Sequence, residues 1–250
     1  MLTKSQIDRF RQDGYLVSRG MFGSAAVDDI SRWSDEILAW PEVPGRHTVY
    51  YEDSVIQGAG KVVSRVENVC PYHDGFDTLM RKGGLIEAVS QLLGGEAVLF
   101  KEKINMKMPG GEGFKPHQDA QAGWNRYAGF YITALVGVDP ATPENGCLEM
   151  VKGWHDKGLV GDEWRPLDGQ DMNGMMFEPC PTAPGDVVFF DSYAPHQSAP
   201  NLTDQRRRVL YVTYNRLSEG DHRAQYYADK RRSFPPDIER EPGKEYVFRV

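Results

Sequence analysis

The 250-residue chain is poor in cysteine: Cys70, Cys147 and Cys180 are all it has. Their number is odd and their spacing is not of metal-site type. A disulfide framework is therefore not expected, and a reducing, cytoplasmic setting is the natural one. No run approaches 18 consecutive apolar residues, which excludes a membrane-spanning helix. The opening Met1-Leu2-Thr3-Lys4-Ser5-Gln6 is polar and carries no apolar signal region. An excess of positive charge is also missing. With 29 Lys and Arg against 36 Asp and Glu the net charge is −7, so neither nucleic acid nor an anionic membrane is an expected partner. The triplet Arg206-Arg207-Arg208 is too short, and too strand-like in context, to be a nucleic-acid patch. Internal repeats and low-complexity segments are absent. What remains is ordinary for a globular enzyme: 40% hydrophobic, 26% charged, with 12 Tyr, 11 Phe and 5 Trp for a core and an aromatic-lined pocket. The length predicts a single domain over residues 1–250.

Residues 3–13 predict an amphipathic helix capped by Thr3 with Gln6 and ended by Gly14, followed by a short strand at Tyr15-Leu16-Val17. A second helix is expected over about 25–39, where Val27, Ile30, Trp33, Ile37 and Leu38 share a face. Residues 40–60 read as a long loop containing Tyr50 and Tyr51, and 76–93 as a third helix ended by Gly94-Gly95. Strands are expected at 97–108, 130–138, 147–151, 186–190 and 208–215, with Gly/Pro/Asn/Asp clusters between them. The tail, 221–250, starts helix-like and ends rich in proline. Helices first and many short strands afterwards predict an α+β chain with a β-sandwich or barrel core.

Chemistry concentrates at two places. Lys115-Pro116-His117-Gln118-Asp119 carries His-x-Asp, whose two ligand-type side chains point to one face of an extended segment while Gln118 points away. Ala194-Pro195-His196-Gln197-Ser198 supplies a second imidazole 79 residues later. Two imidazoles and one carboxylate are the facial triad of non-heme Fe(II) sites with open positions. Eleven residues beyond His196, Arg207 could dock a carboxylate co-substrate bidentately, although Arg206 and Arg208 compete for the role. His155 reads as a structural histidine, and His47, His73 and His222 as loop or surface residues.

At these residues the chain resembles the phytanoyl-CoA dioxygenase family of Fe(II)/2-oxoglutarate oxygenases, over most of its length. Residues 2–17 are similar to the family's N-terminal helix and strand. His117-Gln118-Asp119 matches its metal motif. Gly146-Cys147-Leu148-Glu149-Met150-Val151 with His155 resembles its central segment, and Gly185-Asp186-Val187-Val188-Phe189-Phe190 with His196-Gln197-Ser198 and Asn201 its distal one. Lys152-Gly153-Trp154-His155 and Gln197 depart from the family pattern without touching a ligand. Asp119 argues against the halogenating relatives.

The resemblance implies a double-stranded β-helix, or jelly roll, with N-terminal helices packed outside. It implies Fe(II) on His117, Asp119 and His196, and 2-oxoglutarate paired with Arg207. Asn105, Ser198 and one of Lys101, Lys103 or Lys107 would assist. Oxygen and 2-oxoglutarate would be consumed to hydroxylate a C–H bond of a small polar or zwitterionic substrate. Gln121, Trp124, Asn125, Arg126 and Tyr127, which follow the metal motif, are expected to line the substrate pocket, with Tyr50 and Tyr51 closing it. Around residues 117–124 the chain is similar to the family's bacterial aminoalkylphosphonate α-hydroxylases, including those acting on 2-aminoethyl- or 2-trimethylaminoethylphosphonate. Desaturation, ring closure, epimerisation, acyl-CoA hydroxylation and a catalytically silent ligand-binding jelly roll remain as alternatives. Sequence leaves the oligomeric state open.

Overall fold

The computed structural model describes residues 1–247; the end of the tail expected to run to 250 lies outside the described residues. Helix α1 (Lys4–Asp13) starts at a reciprocal cap. The Gln6 amide donates to Thr3 Oγ1, and the Thr3 amide donates to the Gln6 side chain. Gly14, at φ +81°, ends it in the left-handed conformation and turns the chain into β1 (Tyr15–Ser18). Helix α2 (Ser24–Leu38) follows.

Two expectations are corrected. The long loop at 40–60 is in large part a hairpin, β2 (Thr48–Asp53) and β3 (Lys61–Glu67), with Val49 opposite Val66 and Tyr50 opposite Arg65. The Pro and Gly residues occupy its flanks and tip, while the paired residues are the β-branched and aromatic ones. The single helix at 76–93 is two, α3 (Asp74–Arg81) and α4 (Gly84–Leu93). Lys82 is extended and Gly83 takes φ +74°, which breaks the helix. Periodicity runs through the break because Phe76, Met80, Leu85, Val89 and Leu92 all join one core.

The remaining strands are β4 (Ala97–Asn105), β5 (Phe114–His117), β6 (Tyr131–Gly137), β7 (Leu148–Met150), β8 (Glu178–Cys180), β9 (Val187–Asp191), β10 (His196–Ser198) and β11 (Val209–Arg216). β5, β8 and β10 are three or four residues long, too short to show alternation in the sequence. Among the described residues all pairings are antiparallel. Seven strands form one sheet in the order β1-β9-β6-β11-β4-β3-β2, and four form a second in the order β5-β10-β7-β8.

Side-chain alternation sorts the large sheet's two faces. Val187, Phe189, Leu210 and Val212 join the helices in one core. Val188, Phe190, Val209 and Tyr211 meet Leu148, Met150 and Cys180 of the small sheet in another. The result is an α+β jelly roll with the helices outside. Helix α5 (Arg223–Ser233) packs against β4. Arg223 pairs with buried Glu102, and Lys230 reaches Glu67 at 2.5 Å. Among the described residues no helix is long and apolar enough to cross a membrane.

Candidate active site

The two histidines meet by strand register. β5 and β10 pair with His117 directly opposite His196, and the ring centroids stand 4.2 Å apart. Gln118 is fully buried and faces the other way. Its amide nitrogen donates to Gly158 O and Tyr193 O, and its oxygen accepts from the Val160 amide. Asp119 is thereby left on the histidine side, where its carboxylate comes within 4.0 Å of His196 Nε2. One ligand atom from each of His117, Asp119 and His196 lies within 4.8 Å of the others. That gap is too wide for direct hydrogen bonding and suited to a shared ion.

The protonation states fit the same use. His117 Nδ1 is 2.7 Å from Lys115 O and His196 Nδ1 is 3.0 Å from Ala194 O. A carbonyl only accepts, so each Nδ1 carries the proton and each Nε2 presents a lone pair. Burial pushes His117 down to about 3 and also lowers His196, so protons compete for these nitrogens only in acid. Burial alone would raise Asp119, but His196, Lys101, His117 and Lys103 hold it below the usual carboxylate value. Neutral imidazoles beside an anionic carboxylate are the donor set Fe(II) takes, and these three residues would hold it.

Asp119 hangs from the large sheet. Thr133 Oγ1 donates to its Oδ2 at 3.0 Å, and Thr133 pairs across β6 and β11 with Thr213, whose hydroxyl is 2.9 Å away. The site thus spans both sheets. Thr133→Val, which keeps the shape and removes the donor, should weaken metal binding by about 10–100-fold without changing the fold. Titration of the metal-free protein with Mn(II) reads this, and an unchanged affinity would show that Asp119 needs no such support.

The three consecutive arginines separate cleanly. Arg206 is a surface partner of Asp35, and Arg208 is locked between Asp139 and Asp35 at 2.8 and 3.0 Å. Arg207 alternates onto the inner face, as Val209, Tyr211 and Thr213 do. It is 1% exposed, its Nε lacks any partner, and no carboxylate pairs with its guanidinium among the described residues. Asn105 on β4, opposite Val209, is likewise buried with both side-chain polar atoms unpartnered. Natural interiors rarely leave such groups unmet, so both suit an anion with hydrogen-bonding oxygens; Asn105 lines the narrow cavity itself, whereas Arg207 stands behind its wall, next to Tyr211. Ser198 lines the same narrow cavity as Asn105, His117, Asp119 and His196, with its Oγ accepting from Lys107 at 2.9 Å.

The expected lysines divide. Lys107 is consumed by Gly146 O, Ser198 Oγ and Ala199 O, which ties it to the β10 segment rather than to a ligand. Lys101 and Lys103 line both the narrow cavity and a wider cleft of ≈ 860 Å³ that opens beside His117 and Asp119. Burial, then Lys101 and Arg65, push Lys103 down to about 7.

Of the expected substrate contacts, Tyr50, Tyr51, Trp124, Arg126 and Tyr127 line that cleft. Tyr50 does so from a strand, stacked on Phe234 and under the Arg65 guanidinium, 4.4 Å from its ring. Gln121 and Asn125 do not line it. Gln121 is fully buried, with its amide nitrogen donating to Asp162 O and Arg165 O and its oxygen accepting from the Gln118 amide. Asn125 sits exposed on a short helical turn. Sequence reasoning missed Arg65, Glu67, Tyr226 and Lys230, which reach the cleft from β3 and α5. The sequence signal for Arg65 and Glu67 is charge placed among the valines of β3; Tyr226 and Lys230, in a polar helical segment, carry none.

Comparison with known proteins agrees with this geometry. The family described as Phytanoyl-CoA dioxygenase (PhyH) matches residues 10–209. The chain is 39% identical to a 2-aminoethylphosphonate dioxygenase of uncultured bacterium HF130_AEPn_1, over 98% of this chain and 93% of that protein. It is 42% identical to a methylphosphonate hydroxylase of Gimesia maris, over 93% and 88%. The solved structure of the epimerase SnoN in complex with Fe3+, alpha ketoglutarate and nogalamycin RO matches the fold with a TM-score of 0.74 at 22% identity, covering 98% of this chain and 94% of that one. With the family match spanning most of its length and both relatives aligned over nearly all of theirs, this chain belongs to the phytanoyl-CoA dioxygenase (PhyH) family of Fe(II)/2-oxoglutarate oxygenases.

Proposed function

We propose that this chain is an Fe(II)- and 2-oxoglutarate-dependent hydroxylase acting at the carbon next to phosphorus in a small organophosphonate. The observation that carries the reaction class is the His117–Asp119–His196 donor set with, on the same inner face, buried Arg207 and Asn105, whose Nε and side-chain amide have no hydrogen-bond partner among the described residues. His117, Asp119 and His196 hold the ion; Arg207, Asn105 and Ser198 hold 2-oxoglutarate; Tyr50, Tyr51, Trp124, Arg126 and Tyr127 wall the substrate cleft. When bound, iron would supply the activation of oxygen, of which one atom would go to succinate, as CO2 is released, and the other to the product hydroxyl. The protein's share is to aim one C–H bond and exclude water.

The substrate class rests on the two relatives of about 40% identity, whose names give aminoethyl- and methylphosphonate, and on the cationic character of the cleft. An acyl-CoA reading would need free cations at the rim. Arg232, Arg240 and Lys244 stand there, each paired, with Asp229, Asp237 and Glu241, which leaves Lys115 and Arg126 as the exposed cleft cations without an ion pair among the described residues, too few for a 3′-phosphate and a pyrophosphate. We further take residues 1–250 as one dioxygenase domain working on a freely diffusing substrate in the cytoplasm.

Incubation with Fe(II), 2-oxoglutarate, oxygen and, separately, methyl-, 2-aminoethyl- and 2-trimethylaminoethylphosphonate should give a product one oxygen heavier and one succinate per product. Phosphorus NMR locates the hydroxyl. A product two hydrogens lighter would move the reading to desaturation, and no phosphonate-dependent succinate would end the phosphonate assignment.

A further inference from the structure

We propose that Lys101 is the anchor for the substrate's anionic head, and that it acts on the opposite side of the metal-ligand cluster from the cradle that takes 2-oxoglutarate. The inference rests on the phosphonate-hydroxylase reading and adds a residue and a direction to it. It also separates Lys101 from the co-substrate role the sequence suggests.

Strand register acts as a ruler. Antiparallel β4 and β11 set Asn105 opposite Val209, Lys103 opposite Tyr211 and Lys101 opposite Thr213. Arg207 and Asn105 mark one end, and Lys101 stands about 13 Å along the strand from Asn105 at ~3.3 Å per residue. Thr213 belongs to the hydroxyl pair that holds Asp119, so Lys101 is level with the metal ligands. Its ammonium points onward. Lys101 Nζ is 4.0 Å from the centroid of Trp124 and 5.8 Å from that of Tyr226, and both rings wall the wide cleft and not the narrow cavity. Lys103 Nζ instead lies over Tyr211, which walls only the narrow cavity, and over Phe114, which walls both.

Lys101 makes no ion-pair contact among the described residues, although Asp119 and then Glu67 are near enough to favour its charge. Glu67 is taken by Arg65 at 2.7 Å and Lys230 at 2.5 Å, and Asp119 by Thr133 and the ion it would bind. Among the described residues no carboxylate pairs with Lys101, and burial lowers its pKa. An indole face attracts an ammonium but does not neutralise it. Divalent iron, Asp119, dianionic 2-oxoglutarate and Arg207 already sum to zero charge. Lys101, Lys103 and the Arg65–Glu67–Lys230 group around the cleft leave an excess of positive charge, and a dianionic head such as a phosphonate is the substrate group that matches its sign. A phosphonate seated on Lys101, level with Asp119, presents its neighbouring carbon to the metal before any more distant one. The site of hydroxylation then follows from where the head is held, whatever the tail.

Lys101→Met keeps the aliphatic packing on Trp124 and removes the charge, Lys101→Arg keeps the charge, and Lys101→Gln replaces Met should that variant misfold. Calorimetric titration with methylphosphonate, in the Zn(II)-loaded protein with 2-oxoglutarate, gives binding independently of turnover. Loss of the charged contact should weaken methylphosphonate binding and raise its KM at least about tenfold, with Lys101→Arg recovering most of it. The KM for 2-oxoglutarate should stay within about twofold, since its charge partner is untouched. A rise in the 2-oxoglutarate KM alone, or unchanged methylphosphonate binding in Lys101→Met, overturns the assignment while leaving the phosphonate reading intact. A wild-type protein that hydroxylates no phosphonate removes the reading first and the assignment with it.

Discussion

His117→Ala should stop turnover, cutting succinate formation by well over about 100-fold, because losing a mere outer-shell partner of a metal ligand already costs about 10–100-fold. The fold should survive. His117 sits at the end of the short strand β5 and lines the cavity at its mouth, so truncation removes a donor atom and not a core contact. The neighbouring His196 and Asp119 remain but cannot define a face of the ion alone. His155→Ala is the control. His155 is the other histidine that the family-like central segment brings forward, and its Nε2 meets Arg11 O at 3.1 Å, on the α1 side of the molecule. That variant should keep its iron and its rate. Bound iron per chain and succinate per minute, measured on both variants, decide the matter: a His117→Ala protein that retains both would remove the facial-triad assignment.

The metal ligands were legible because their chemistry is compressed into two short motifs. His-x-Asp needs only an extended backbone to put both side chains on one face, and the late histidine stands alone in its segment. Arg207 was legible only as one of three. Choosing among Arg206, Arg207 and Arg208 requires knowing which face of β11 meets the second sheet, and only the register with β4 and β6 gives that. The cleft was mostly illegible. Arg65 and Lys230 come from segments 165 residues apart in number, and they share the site because both pair with Glu67. Gln121 illustrates the opposite error. Proximity to the metal motif suggested a pocket residue, but a tight helical turn left backbone groups of 118, 162 and 165 to satisfy, and the amide side chain does that. Around Tyr50 the flanking Pro and Gly residues mask a β-branched and aromatic core, and its position in the cleft depends on strand pairing with Arg65.

Arg207→Met should make the ligand-free protein no less stable while nearly disabling its use of 2-oxoglutarate. The two effects have one cause. A buried guanidinium without a partner is a cost to the folded state, and replacing it with an apolar side chain of similar reach is neutral or stabilising. When a dianionic co-substrate arrives, the same group becomes half of a buried, desolvated ion pair, and removing one partner of such a pair costs about 3–5 kcal/mol. At 1.4 kcal/mol per tenfold, the apparent KM for 2-oxoglutarate should rise by about 100-fold or more. Its neighbours predict the contrast. Arg206→Ala breaks a half-exposed pair with Asp35 and should shift stability by no more than about 0.5 kcal/mol with the KM unchanged. Arg208→Ala strips Asp139 and Asp35 of a buried partner and should destabilise by about 3 kcal/mol. Thermal unfolding with and without 2-oxoglutarate, in the presence of Mn(II), separates the three. Wild type, Arg206→Ala and Arg208→Ala should all gain stability as ligand is added, in proportion to RT ln(1 + [L]/Kd), whereas Arg207→Met should gain almost none. An Arg207→Met protein that still gains the full shift would mean that the inward arginine waits for a different anion, and the co-substrate would then have to be sought at Lys103, the next inward cation along β4.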